Sequence, residues 1–325
     1  VVGVFKQKNP GNTLLLVVYA LVLKFPSILN SPGAVRDETD HYLYNLLLRF
    51  LTPLEIPGFV YGILAFFCLL IQAMLFNRIC NVHKMTPKPN YLFGMAYLLL
   101  TSLFREWNYF SAPLLINTLL ILLFYRMLNL YNSSKPLGSI FNIGLLLGIV
   151  TLLYQPAVLF ILLVPFVLLI MRPFRIREWL VGFLGITTPY YFLALEPLIT
   201  NNWNLRHLLP RVTIDLPEIP SSIFVTIGIS LLVIPFIIGG YFVQNNLNKV
   251  LIQIRKSWSL LLIFLIISLL LILADGGEGY TNWIFSIISL SAFHAAAYYF
   301  PVKKLFTVVM HWVVFGFAIY MQYFH

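Results

Sequence analysis

Apolar residues run in blocks along this chain, and polar residues gather in the short gaps between them. Eleven blocks stand out, at 13–29, 57–76, 91–104, 112–131, 139–153, 157–171, 179–195, 222–242, 258–274, 280–299 and 305–323. Blocks near 20 residues can cross a bilayer as a helix, although several fall short of that length. The expected fold class is all-α: a polytopic integral membrane protein with about 11 transmembrane helices, forming a single integral membrane domain over 1–325. The pair 139–153 and 157–171 breaks at Gln155-Pro156, which suits a hairpin or one long kinked helix. Two gaps are long, 30–56 and 196–221.

The first long gap has its own pattern. It opens on the turn cluster Asn30-Ser31-Pro32-Gly33 and continues into Arg36-Asp37-Glu38-Thr39-Asp40-His41-Tyr42. Leu43, Leu46, Leu47 and Phe50 then follow the spacing of one helical face, with His41, Asn45 and Arg49 on the opposite stripe. Asp37 or Thr39 suits the N-cap. This predicts an interfacial helix after the first span, apolar face down, ended by Thr52-Pro53.

Composition strengthens the membrane reading. The chain is 60% hydrophobic and 10% charged, with mean hydropathy +0.89, which excludes a sizeable soluble domain. Lys6 and Lys8 precede the first block, but no small-residue cleavage site follows it, so it reads as a retained helix. The net charge of +10 is what the positive-inside rule produces, and nucleic acid is not needed to explain it. With the N-terminus cytoplasmic and eleven spans, 15 of the 21 Lys and Arg fall inside; merging 139–171 into one span leaves only 10 there. The hairpin reading is therefore preferred. It places the protein in the bacterial inner (cytoplasmic) membrane as a multi-pass chain with its acidic loops on the outer face. Cys68 and Cys80, twelve residues apart on one helix, lie about 18 Å from each other and cannot form a disulfide.

The outer face collects Asp37, Glu38, Asp40, Glu55, Glu106, Glu196, Asp215, Glu218, Asp275 and Glu278, ten of the eleven acids. Asp37, Glu38 and Asp40 read either as a solvated helix start or as an outward-facing site. Arg105-Glu106, in a short outer turn, reads as a boundary salt bridge or as part of that site. Arg206, His207 and Arg211, in the second long outer loop, suit lipid headgroups or a substrate phosphate. His294 and His311 lie inside helices and are expected to bond a neighbouring helix.

From Phe5-Lys6-Gln7-Lys8-Asn9-Pro10 to about Thr200 the chain resembles a family of bacterial polytopic membrane proteins to which no mechanism is attached. The best-matching part runs from Lys88-Pro89-Asn90-Tyr91 to Pro189-Tyr190-Tyr191. Some members carry the label carotene monooxygenase. That chemistry needs four histidines around iron in a β-propeller, whereas the six histidines here are scattered along a helical chain.

A more distant resemblance carries a mechanism. Asp37-Glu38 after the first helix, a surface helix behind it, and Arg105-Glu106 between helices three and four are similar by position to the GT-C superfamily of polyprenyl-phosphate-sugar-dependent glycosyltransferases. The Gly- and Leu-rich run Asn142–Met171 is similar to a helix pair of that superfamily, although Gln155 stands where a basic residue is often found. The resemblance implies an inverting transfer of sugar from a polyprenyl-phosphate donor to an acceptor at the outer face. Asp37 would be the base, Glu38 its alternate or a metal ligand, and Glu106 the second acid. Asp40, His41, Arg105, Arg206, His207 and Arg211 would bind substrate. A divalent cation is the one cofactor this chemistry leaves room for. The implied partners are membrane lipids and a lipid-linked sugar. The alternative is a non-catalytic GT-C-like scaffold or accessory subunit, bound to other inner-membrane proteins. A transporter is the weakest reading, because charged groups at mid-membrane depth are nearly absent.

Overall fold

The computed structural model describes residues 1–199, 210, 222–273, 280–301 and 303–324. The described residues form helices and no strand, apart from two isolated bridges, Ala34 with Phe110 and Asp40 with Tyr154. In order the helices are α1 (Val2–Phe5), α2 (Gly11–Leu29), α3 (Tyr42–Leu51), α4 (Gly58–Val82), α5 (Leu92–Leu100), α6 (Ala112–Leu128), α7 (Pro136–Leu153), α8 (Leu163–Met171), α9 (Ile176–Ile199), α10 (Ile223–Leu247), α11 (Ile252–Leu273), α12 (Ile287–Tyr299) and α13 (Lys304–Tyr323). Stretches of 3-10 helix lead into α8 at Gln155–Leu162 and into α12 at Thr281–Ser286.

Six of these helices, α2, α4, α7, α10, α11 and α13, are long and apolar enough to cross a membrane. Their outward faces carry Leu14, Val18 and Phe25 on α2, Ile266 on α11, and Val309 and Val313 on α13, all exposed. An apolar belt of this extent belongs against lipid rather than water. By contrast α5 has nine residues, every one buried, and is about 14 Å long. It is enclosed by protein, where irregular backbone at either end is tolerated.

Inside the bundle, a set of polar side chains bonds across helices. Gln72 on α4 donates to the Leu114 carbonyl and the Thr118 hydroxyl, both at 2.8 Å, and accepts from Tyr97 at 2.7 Å. Asn117 donates to the Tyr97 hydroxyl and the Ile284 carbonyl, both at 3.1 Å. Such bonds tie α4, α5 and α6 together in a medium that offers no water as a competing partner.

Elsewhere glycine lets backbones touch. A Cβ on Gly144 or Gly148 of α7 would run into the carbonyl of Gly182 or Ile186 on α9, and one on Gly185 would meet Phe141. Between these two helices there is room for hydrogen atoms only. Gln155-Pro156 marks a reversal of the chain rather than a kink. Tyr154 is extended, and Arg172, just beyond α8, reaches back to donate to the Ser133 carbonyl ahead of α7 at 2.9 Å. The same Arg172 forms a two-pronged ion pair with Glu178 at 2.9 and 3.2 Å.

The short helix α3 falls where the apolar spacing predicts one, but it docks through a different face. Tyr44 and Leu48 are buried, Leu43, Leu46 and Leu47 are half-buried, and Phe50 is 69% exposed. The N-cap is His41, and neither Asp37 nor Thr39 caps the helix. Asp37 instead closes its own turn, accepting from the Thr39 N–H at 3.0 Å and the Thr39 hydroxyl at 2.8 Å.

Candidate functional site

The acidic stretch is part of the packed structure and not a loose loop. On one side Val35 N–H donates to the Phe110 carbonyl at 2.9 Å, beside the bridge from Ala34 to Phe110. Tyr44 fixes that contact by donating to the Val35 carbonyl at 2.8 Å. Burial pushes the Tyr44 phenol well above the ordinary range, and Asp40 adds to the effect, so the hydroxyl stays a donor. On the other side His41 N–H donates to the Leu153 carbonyl at 3.1 Å, and Gln155 N–H to the Thr39 carbonyl at 3.0 Å. His41 is buried, and its Nδ1 lies 3.0 Å from the Thr151 carbonyl, so that nitrogen carries a proton.

The segment 34–41 is thus stitched to two distant places, the turn before α6 and the break after α7. Within it Asp40 is buried, and its Oδ2 accepts from the Asp37 N–H at 2.7 Å. The side chains of Asp37 and Glu38 are exposed. Asp40 and His41 therefore hold the turn in shape, and Asp37 and Glu38 are presented by it. The sequence pattern places His41 on the solvent stripe of α3. The structure buries it against α7, because a hydrogen bond to the end of that helix is available only in three dimensions.

Arg105 and Glu106 do not pair with each other. Arg105 donates to the Met321 carbonyl at 3.1 Å and to the Gln322 carbonyl at 2.8 Å, closing the last turn of α13. Glu106 accepts from the Tyr280 N–H at 3.2 Å, while the Trp107 indole donates to the Tyr280 carbonyl at 2.6 Å. The boundary salt bridge expected at this pair is replaced by two separate long-range contacts. Burial raises the Glu106 carboxyl above its ordinary value, and the Tyr280 N–H partly offsets this.

Known proteins offer no match. The chain matches no family model, no curated protein and no solved structure. The assignment of the site therefore rests on its own geometry. Arg206, His207, Arg211, Asp215, Glu218, Asp275 and Glu278 lie outside the described residues. Among the described residues, no group of three or more His, Cys, Asp and Glu side chains is arranged to hold a metal ion.

One buried charge-bearing residue escapes sequence reasoning. Lys24, on α2, is 1% exposed and donates to Thr101 at 2.9 Å, to Ser102 at 3.0 Å and to the side-chain oxygen of Asn108. Its place near the end of an apolar block makes it look like a flanking charge. The signal that could have found it is its spacing with Ala20, Leu23 and Ser27, all buried on one stripe of α2. Beside it Gln322 donates to the Ser102 carbonyl at 2.9 Å, so Lys24, Ser102, Asn108, Arg105 and Gln322 lock α2, the end of α5 and α13 together.

Proposed function

We propose that this chain is a GT-C-like membrane glycosyltransferase, moving a sugar from a polyprenyl-phosphate donor to an acceptor at the outer face of the inner membrane. The observation that carries the reading is the double anchoring of segment 34–41. Backbone bonds from Val35 to Phe110 and from His41 to Leu153 hold Asp37 and Glu38 outward on a rigid support. A site that must place a carboxylate against an acceptor hydroxyl needs this kind of support.

In this reading the eleven apolar segments are the eleven crossings, the N-terminus is cytoplasmic and the acidic turns face outward. The Asp37 carboxylate takes the proton of the acceptor hydroxyl as that oxygen attacks the anomeric carbon. The carbon–oxygen bond to the polyprenyl phosphate breaks, and the configuration inverts. Glu38 is the alternate base or the ligand of a divalent cation. Glu106, its carboxyl raised by burial, is suited to hold a proton for the departing phosphate. Arg206, His207 and Arg211 supply positive charge to that phosphate.

A second reading has its own support. Asp40 Oδ2, His41 Nδ1 and two nitrogens of Arg105 are engaged in internal bonds. That is the pattern of an accessory subunit that keeps the scaffold and presents Asp37 and Glu38 to another protein. The experiment is transfer in proteoliposomes holding a polyprenyl-phosphate sugar. Asp37→Asn and Glu38→Gln should abolish transfer while leaving the melting curve unchanged. Full transfer by the double variant sinks the transferase. Stable co-purification with another membrane protein, lost on the same substitutions, establishes the subunit.

A further inference from the structure

The end of the bundle opposite Asp37 holds a cavity of about 590 Å³ between the end of α4 and the α10–α11 turn. Its floor is apolar, with Met85, Ile254, Trp258 and Phe300 among the lining residues, and it is also lined by Lys84 and Lys249. Both lysines are exposed, and neither ammonium group has a hydrogen-bond or ion-pair partner among the described residues. Residues 77–90 and 243–258, which frame the cavity, contain no Asp or Glu. Two uncompensated ammonium groups beside an apolar floor suit an anionic amphiphile.

A second observation points at Lys84 independently. Helix α4 ends in a paired motif, with Met85 N–H donating to the Cys80 carbonyl at 3.0 Å and Lys84 N–H to the Asn81 carbonyl at 3.1 Å. That motif puts Lys84 in the left-handed region, with φ of 52°. Glycine is the residue that adopts this conformation without strain, and a side chain here costs stability. The left-handed turn serves the cap of α4, for which glycine would suffice, whereas the ammonium group it carries to the cavity pairs with nothing among the described residues.

We propose that this cavity is a binding site for the phosphoryl headgroup of an anionic lipid, with Lys84 and Lys249 on the phosphate and the acyl chain over the Trp258 floor. The site is independent of any transfer chemistry at the other end. The test compares melting in nanodiscs of phosphatidylglycerol and of phosphatidylcholine, whose own ammonium group opposes the lysines. The wild type should melt higher in phosphatidylglycerol. Lys84→Gly should raise melting in phosphatidylcholine by about 2 °C, because it removes the backbone strain. The same variant should lose at least half of the phosphatidylglycerol increment, and adding Lys249→Gln should remove the rest. The control Lys303→Gln with Lys304→Gln removes equal charge from the same end and should keep the increment. An unchanged increment in the Lys84→Gly, Lys249→Gln protein overturns the site, as does an equal loss in the control. A lower melting point for Lys84→Gly in phosphatidylcholine overturns the strain argument. An equal increment from inorganic phosphate in phosphatidylcholine discs overturns the lipid assignment in favour of a soluble anion.

Discussion

Arg105 is hydrogen-bonded to Gln322, a residue 217 positions away, and turns from its neighbour Glu106. Two of its N–H groups reach carbonyls of the last turn of α13, where the helix has no donors of its own to offer. The guanidinium also lies at the negative end of the helix dipole. Arg105→Ala removes both bonds and leaves two carbonyls unpaired. The expected loss is about 2 kcal/mol of stability, read as a lower denaturation midpoint in detergent. Arg105→Lys, which cannot make both bonds in a fixed fork, should recover less than half of it. Wild-type stability for Arg105→Ala would mean that the two bonds contribute nothing.

Lys24 makes a sharper test of the same corner. It donates to three acceptors on the α5–α6 connection, in a site closed to water. Lys24→Met keeps the length of the chain and removes all three donors. Thr101 and Ser102 still donate back to the carbonyls of α5, but the Asn108 oxygen loses its ammonium partner. A loss of about 2 kcal/mol is expected. Asn108→Ala alone should also destabilise, and the double variant should fall short of the sum by about 1 kcal/mol, because the pair shares one interaction. Strict additivity would show that Lys24 and Asn108 act separately.

What the sequence makes legible follows from range. Apolar blocks are local, and each of the eleven falls on helix in the described residues. Their edges shift where a local rule outweighs hydropathy. Pro136 starts α7 three residues ahead of its block, because proline fits the first turn of a helix. The docking face of α3 is missed because Tyr44 and Leu48 bury themselves against partners far along the chain. Candidate site residues show the same divide. Asp37 and Glu38 can be singled out from charge and position, whereas the partners of His41, Arg105 and Glu106 lie 110, 217 and 174 residues away. No periodicity encodes such pairings. The buried Lys24 is misplaced for a related reason: its acceptors are uncharged, and uncharged polar residues leave no signature.

Glycines separate contact from tolerance. At Gly144 a methyl group would overlap the Gly182 carbonyl, and at Gly148 it would come within 2.5 Å of the Ile186 carbonyl. The backbone of α9 cannot yield as a side chain would. Gly144→Ala or Gly148→Ala should therefore separate α7 from α9 and lower stability by about 3 kcal/mol. Gly138 and Gly240, also helical, have open space around the same methyl. Alanine there should raise stability by up to about 1 kcal/mol, because it restricts the unfolded chain. Equal effects at the two kinds of site would mean that α7 and α9 do not pack backbone to backbone.

Glu106 should give the protein a pH dependence of definite sign. Its carboxyl is raised above 4.5 by burial, against the opposing pull of the Tyr280 N–H. A raised folded value means that the fold holds this proton more tightly than the unfolded chain does. The stabilisation is fully present below the unfolded value of 4.5 and is lost as pH rises through the higher folded value. Glu106→Gln keeps an oxygen for the Tyr280 N–H and removes the titration. The wild type should therefore lose melting temperature relative to Glu106→Gln as pH rises from about 4 towards about 8, and the difference should level off once Glu106 is ionised in both states. A flat difference would place the carboxyl in open water. The opposite slope would mean that a cation stabilises its charged form, and the proton-holding role of Glu106 would then fall.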